Sequence, residues 1–219
     1  MKEGMPRVLE LLERLGIRAT FFFTAEMVEK YPETVEKVLS SGHELGMHGY
    51  RHERLDRMSL SGAEKILRKM ADVFSSYDVV SFRAPNLQLP DALFPVLEDI
   101  GVRYDSSRAV YKGWRKGITK IGNVVEIPVS ATSFVIRWPA WARKIHYALV
   151  PRPLVLFAHP WEFVDMSREK IRWDCRAWTG EKAVERLEET LIWAIQSEGE
   201  PKTIREMGVQ VENSTLTPK

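Results

Sequence analysis

Cys175 is the only cysteine in this 219-residue chain. No intrachain disulfide can form, and a cysteine-based metal site is excluded, so any bound metal must be held by histidine or carboxylate. No run of roughly 18 or more apolar residues occurs, which leaves no candidate for a membrane-spanning helix. The opening segment MKEGMPRVLELLERLG lacks the apolar centre of a secretory signal, and the expectation is a soluble, cytoplasmic protein. Charge of one sign is not in excess: 32 Lys and Arg against 30 Asp and Glu give a net +2, too little to argue for a nucleic-acid partner. Repeats, low-complexity tracts and Pro/Gly-rich linkers are also missing. One domain over residues 1–219 is the simplest organisation, and the chain is long enough to bury a sizeable core.

What is present is a regular alternation. Met5 to Leu15 reads as a helix with Pro6 in its first turn, an apolar stripe of Val8, Leu9, Leu11, Leu12 and Leu15, and Gly16 as its stop. Ile17 to Phe23 is a short apolar run that reads as a buried strand. Further helices are expected at Pro32 to Leu39, from Ser59 or Ser61 to Phe74, and at Asp91 to Ile100, Pro139 to Leu149 and Thr179 to Ser197. Strands are expected at His43 to Met47, Val79 to Phe82, Val102 to Tyr104, Val124 to Val129, Thr132 to Ile136 and Leu154 to Phe157. The polar tail Glu212 to Lys219 reads as frayed. Short apolar strands alternating with helices indicate an α/β domain with a parallel sheet.

Three polar clusters fall where strands end: His48 to His52, Arg83 to Asn86, and His159 to Glu162. Ligands of parallel α/β folds bind at the carboxyl ends of strands, so the expectation is that these clusters serve one active site. In HGYRH two imidazoles stand four residues apart, a spacing that can bring both to one ion. Imidazole suits zinc, cobalt, nickel or iron better than magnesium or calcium. Two histidines are fewer than the three protein ligands a catalytic zinc usually has, and two solvent-exposed histidines in a turn are the plain alternative.

The segment RATFFFTAEMVEKYPETVEKVLSSGHELGMHGYRHERL resembles the polysaccharide-deacetylase family (NodB homology, carbohydrate esterase family 4). The shared features are an ATFF strand at Ala19 to Phe22, the Gly-His-Glu-hydrophobic-Gly segment at Gly42 to Gly46, and the H-x-x-x-H of His48 and His52. FRAPN (Arg83, Pro85), YDSS (Tyr104 to Ser107), LFAHPWE (His159) and TIRE (Thr203 to Glu206) follow in the family's order, so the resemblance runs from about Pro6 to Glu206.

The resemblance implies a deformed (β/α) barrel and hydrolysis of a non-peptide C–N bond, with an N-acetylated sugar or a small amide as substrate. It implies that His48 and His52 ligate a divalent metal, zinc or cobalt, and that His159 is the general acid. Arg83 would hold a catalytic carboxylate, and Pro85 would shape the groove wall. Tyr50 would offer a backbone group to the developing oxyanion. Trp161, with Trp173 and Trp178, would stack on sugar rings, with core packing as the alternative. The family's first strand carries an Asp-Asp pair that supplies base and third metal ligand, and no such pair stands before the first helix here. Asp105, Glu44 and Glu162 are the carboxylates that could compensate, and a homodimer could cover an open sheet edge. The family's Asp-x-x-Trp motif, whose aspartate tunes the acid histidine, is not evident. Two other readings stay open: a carbohydrate-binding protein without turnover, and a metal-free amide hydrolase.

Overall fold

The computed structural model describes residues 3–114 and 117–216. Its elements, in chain order, are α1 (Gly4–Leu15), β1 (Thr20–Phe23), α2 (Ala25–Lys30), α3 (Pro32–Ser40), β2 (Glu44–Met47), α4 (Leu60–Phe74), β3 (Ser81–Phe82), α5 (Phe94–Asp99), β4 (Tyr104–Asp105), β5 (Thr119–Ile121), β6 (Val124–Glu126), α6 (Ser133–Ile136), α7 (Ala140–Leu149), α8 (Trp173–Arg176), α9 (Glu181–Glu198) and α10 (Ile204–Leu216). They form two compact units. One joins residues 1–17 to 129–201, and the other joins 18–128 to 202–219.

The second unit holds the sheet, in the order β1-β2-β3-β4-β6-β5. Pairings from β1 through β4 to β6 are parallel, and only β5 runs antiparallel, against β6. Helices intervene between successive parallel strands from β1 to β4, as parallel pairing requires. Buried side chains of the flanking helices, including Val35, Val38, Leu67, Met70 and Leu97, cover the sheet. Because Met47 pairs with Phe82, the residues that follow them, His48 and Arg83, leave adjacent strands side by side. Helix α4 starts as the sequence suggests: the Ser59 hydroxyl accepts from the Gly62 N–H at 3.2 Å.

The first unit packs α1 against α9 and the segment after His159. Its core is Leu11, Ile136, Phe163, Ala183 and Leu187, with Val8, Leu15, Leu156, Val184 and Leu191 against it. Each fully buried aliphatic side chain of this kind contributes roughly 1.5–3 kcal/mol. Gly16 adopts φ +66°, and the N–H groups of Gly16 and Ile17 return to Glu13 and Leu12 to close α1.

Several expectations change. Thr132 to Ile136 is not a strand; Ser133–Ile136 form the short helix α6. A brief β-branched apolar run does not distinguish strand from helix, and the contact of Ile136 with Ala183 and Leu187 decides. Leu154 to Phe157 lies outside every ladder. The Val155 N–H goes to the Ser130 hydroxyl at 2.8 Å, a side chain standing where a neighbouring strand would offer a carbonyl. Helix α2 precedes Pro32 and was not anticipated; Pro32 begins α3 directly after it. Most of the expected frayed tail is helix α10, while residues 217–219 lie outside the described residues.

Helix α10 is held at both ends. Thr203 and Glu206 exchange a side chain-to-backbone bond in each direction, a capping box. Glu212 accepts from Arg103 at 2.7 Å and from the Tyr104 hydroxyl at 3.0 Å. Between them Gly208 sits on the Tyr104 ring, so close that a Cβ there would lie 2.1 Å from a ring carbon. Gly208→Ala should therefore destabilise the protein by roughly 1–3 kcal/mol despite alanine's better helix propensity. Urea unfolding measures this, and a variant as stable as the parent would refute the close docking of α10.

Candidate active site

The loop after β2 carries His48 and His52, and its shape is fixed from three sides. The Glu53 carboxylate accepts the N–H groups of Tyr50 (3.0 Å) and Arg51 (2.8 Å). The Gly49 and Tyr50 carbonyls accept the Ala25 and Glu26 N–H groups, tying the loop to the start of α2. Gly49, at φ +79°, is in close contact with Pro85, whose Cγ would stand 3.2 Å from an added Cβ. Pro85 is buried and backs this loop. His52 itself is left-handed, at φ +68°. The two imidazoles meet edge to face with centroids 5.0 Å apart.

His48 is oriented by the next strand. Its Nδ1 lies 2.7 Å from the Arg83 carbonyl oxygen, which can only accept, so Nδ1 carries the proton and Nε2 keeps a lone pair. That is the tautomer of a metal ligand. Arg83 is held in turn: its N–H donates to the Met47 carbonyl, Nε donates to the Ser106 carbonyl at 3.1 Å, and NH2 donates to the Ser106 hydroxyl at 2.8 Å. The guanidinium lies over the Phe22 ring at 4.5 Å. Burial pushes its pKa down to about 10, against the opposing charges of Asp105 and Glu126, so it remains a cation at neutral pH.

Tyr50 is occupied in building the loop. Its N–H is bound to Glu53, its hydroxyl donates to Glu29 at 3.0 Å, and Lys69 Nζ sits 3.9 Å over its ring. The three carboxylates named as compensating ligands are engaged as well. Glu44, at the start of β2, accepts from Thr20, Ser81 and the Arg205 N–H. Asp105 accepts from Ser107, and Glu162 belongs to the other unit. Among the described residues no three His, Cys, Asp or Glu side chains gather in a metal-binding group. Within the described residues, the metal-ligating side chains that this loop brings together are the imidazoles of His48 and His52. His43 is a core residue: buried, with Nδ1 accepting from the Ala19 N–H, and with burial lowering its pKa.

His159 and Trp161 lie in the first unit. The imidazole stacks on Trp161 at 5.3 Å and 19° and meets Phe157 edge-on. Its Nδ1 lies 2.7 Å from Glu162 Oε1, which also accepts the His159 N–H at 3.0 Å. Glu162 is buried against Arg137, whose Nε stands 2.9 Å from Oε2 with its N–H off the line, an ion pair rather than a hydrogen bond. Arg137 completes its bonding on the Ala177 and Asp174 carbonyls. The carboxylate that faces the histidine is thus three residues after it. The capping-box spacing of His159 and Glu162 was the signal in the sequence.

A family model for polysaccharide deacetylases matches residues 1–104. Over that stretch the chain is similar to the polysaccharide-deacetylase family. Among curated relatives, the peptidoglycan deacetylase-like protein FGM2 of Gibberella zeae is 31% identical over 109 residues, covering 48% of this chain and 32% of the relative. The peptidoglycan deacetylase of Helicobacter pylori is 28% identical over 107 residues, covering 48% and 36%. The matched stretch thus spans about a third of each relative's length. Solved structures extend the likeness in fold. The allantoinase PuuE superposes with a TM-score of 0.71 at 16% identity, over 99% of this chain and 74% of its own. A Mycobacterium smegmatis structure described as a polysaccharide deacetylase gives 0.67 at 19% identity, over 99% and 79%. A carbohydrate esterase family 4 pseudoenzyme from Bacillus anthracis gives 0.63 at 18% identity, over 94% and 60%. The α/β fold expected for the family is therefore the fold of this chain.

Two outcomes follow from this geometry. In metal-free protein, nitrogen NMR of the imidazoles should show His48 predominantly as the Nδ1–H tautomer; an Nε2–H majority would break the link to Arg83. Glu162→Gln should cost about 3–5 kcal/mol in urea unfolding, because it leaves the Arg137 charge buried without a counter-charge. A loss below about 1 kcal/mol, the range of exposed pairs, would show that this pair is solvated in solution.

Proposed function

We propose that the protein is a hydrolase of non-peptide C–N bonds that removes the acetyl group from an N-acetylated sugar. The observation that carries this reading is the pair of imidazoles at 5.0 Å, one with its tautomer set by a backbone carbonyl. It is supported by the family match over residues 1–104 and by relatives that are deacetylases of peptidoglycan.

His48 and His52 would hold a divalent zinc or cobalt. Such an ion, when bound, polarises an amide carbonyl and lowers the pKa of bound water toward about 7. The Arg83 carbonyl keeps the His48 ring from turning, and Glu53 and Pro85 keep the loop from relaxing around it. His159, with Nδ1 bound to Glu162, presents Nε2 as the acid that protonates the departing amine. Glu162 fixes the orientation of the ring, standing where the family's Asp-x-x-Trp aspartate was expected to act. Trp161 lies flat on the imidazole and offers an aromatic face to a sugar ring.

A second reading, a carbohydrate-binding protein without turnover, is favoured by the lack of a three-residue metal group among the described residues. Metal analysis and acetate release from N-acetylglucosamine oligomers separate the two. His48→Ala and His52→Ala should each reduce bound zinc at least tenfold, and His159→Ala should keep the zinc while losing turnover by roughly 100-fold or more. Unchanged metal content in the first two variants would remove the ligand assignment. Full turnover in the third would remove the acid, and oligomer binding without acetate release from the parent would favour the binding protein.

A further inference from the structure

Asp105 and Glu126 are register partners on the parallel strands β4 and β6, and both are wholly buried. Partners in a parallel ladder project to the same face, so the two carboxyl groups are neighbours in a dry interior. Two bare anions so placed would repel strongly, and burial favours the neutral form of each. The hydrogen bonds around them are not symmetrical. Asp105 accepts from the Ser107 hydroxyl at 2.6 Å and from the Ser107 N–H at 3.3 Å. The same hydroxyl accepts the Ala84 N–H at 2.8 Å, an arrangement that needs Asp105 as the acceptor. Glu126 Oε1 accepts the Arg108 N–H at 3.0 Å, while Oε2 is buried with no donor facing it. A proton on Oε2 resolves that deficit, with Asp105 as its acceptor.

We propose that Asp105 and Glu126 share one proton, carried by Glu126, and form a singly charged seat that positions Arg83 and the strand end behind His48. The other groups acting here are Arg108 beside the pair, and Glu44 and the Tyr111 phenol near Arg83. Through Ser107 the Asp105 anion holds the Ala84 N–H, which lies in the same peptide group as the carbonyl that orients His48. Glu126 and Asp105 are thus positioning residues, and neither needs to touch substrate. Burial and the neighbouring carboxylate both push the Glu126 carboxyl well above its ordinary range. This inference does not rest on the deacetylase reading.

The sign of the pH effect follows. The folded protein keeps a proton that the unfolded chain releases near pH 4.5, so the wild-type contribution falls as pH rises from there through the folded value. Glu126→Gln replaces the acid with a permanent neutral donor and removes that slope. The melting temperature of E126Q relative to wild type should therefore rise from pH 5 to pH 9, by roughly 2–4 °C or more. Infrared spectra at pH 8 should show a protonated-carboxyl C=O stretch in wild type that is absent from E126Q. Asp105→Asn combined with Glu126→Gln removes both carboxyl groups whose charges act most strongly on Arg83, so the double variant should lose more than the two single losses added. If the double variant does not fold, the infrared band and the E126Q pH series decide. No protonated-carboxyl band in wild type, a pH-independent melting difference, or additive losses would overturn the proposal.

Discussion

One peptide unit, the Arg83 carbonyl at the end of β3, governs the candidate metal site. It accepts the Nδ1 proton of His48, and its own position is set by two bonds on either side: Arg83 N–H to Met47 and Ala84 N–H to Ser107. A backbone carbonyl anchored in a sheet cannot rotate away as a carboxylate can. The ring it holds is therefore oriented before any ligand arrives, which limits the reorganisation that binding would require. The strands supply this rigidity at the point where the polar sequence clusters begin.

The two units treat their histidines by one logic and two chemistries. In each, Nδ1 is committed to an oxygen. For His48 the oxygen is a neutral carbonyl, which suits a ring that stays neutral and donates a lone pair. For His159 it is a carboxylate backed by a buried arginine, which suits a ring held in place for proton transfer. The difference in partner matches the difference in proposed role.

Much of this was visible in the chain itself. The H-x-x-x-H spacing, the apolar runs that stop at His48 and Arg83, and the helix signals at Ser59 and Gly16 depend on local chemistry, so they could be read directly. Thr132 to Ile136 and Leu154 to Phe157 could not, because identical apolar runs become strand or helix according to what packs or pairs beside them. The buried pairs Arg137–Glu162 and Asp105–Glu126 were also hidden. Each depends on residues distant in sequence that meet only in the fold, although Glu126 within the run Val124-Val125-Glu126-Ile127 is a charge in apolar company that called for a partner.

The left-handed backbone of His52 has a consequence for how this site can change. A residue with a branched or bulky side chain is strained at φ +68°, whereas glycine or asparagine adopts that conformation with little or no strain. Histidine stands with asparagine and aspartate among the non-glycine residues enriched in that region, so His52 holds the turn at modest cost. A β-branched residue would force the backbone to leave it and reshape the loop beside His48, whereas glycine would keep the turn and lose the imidazole.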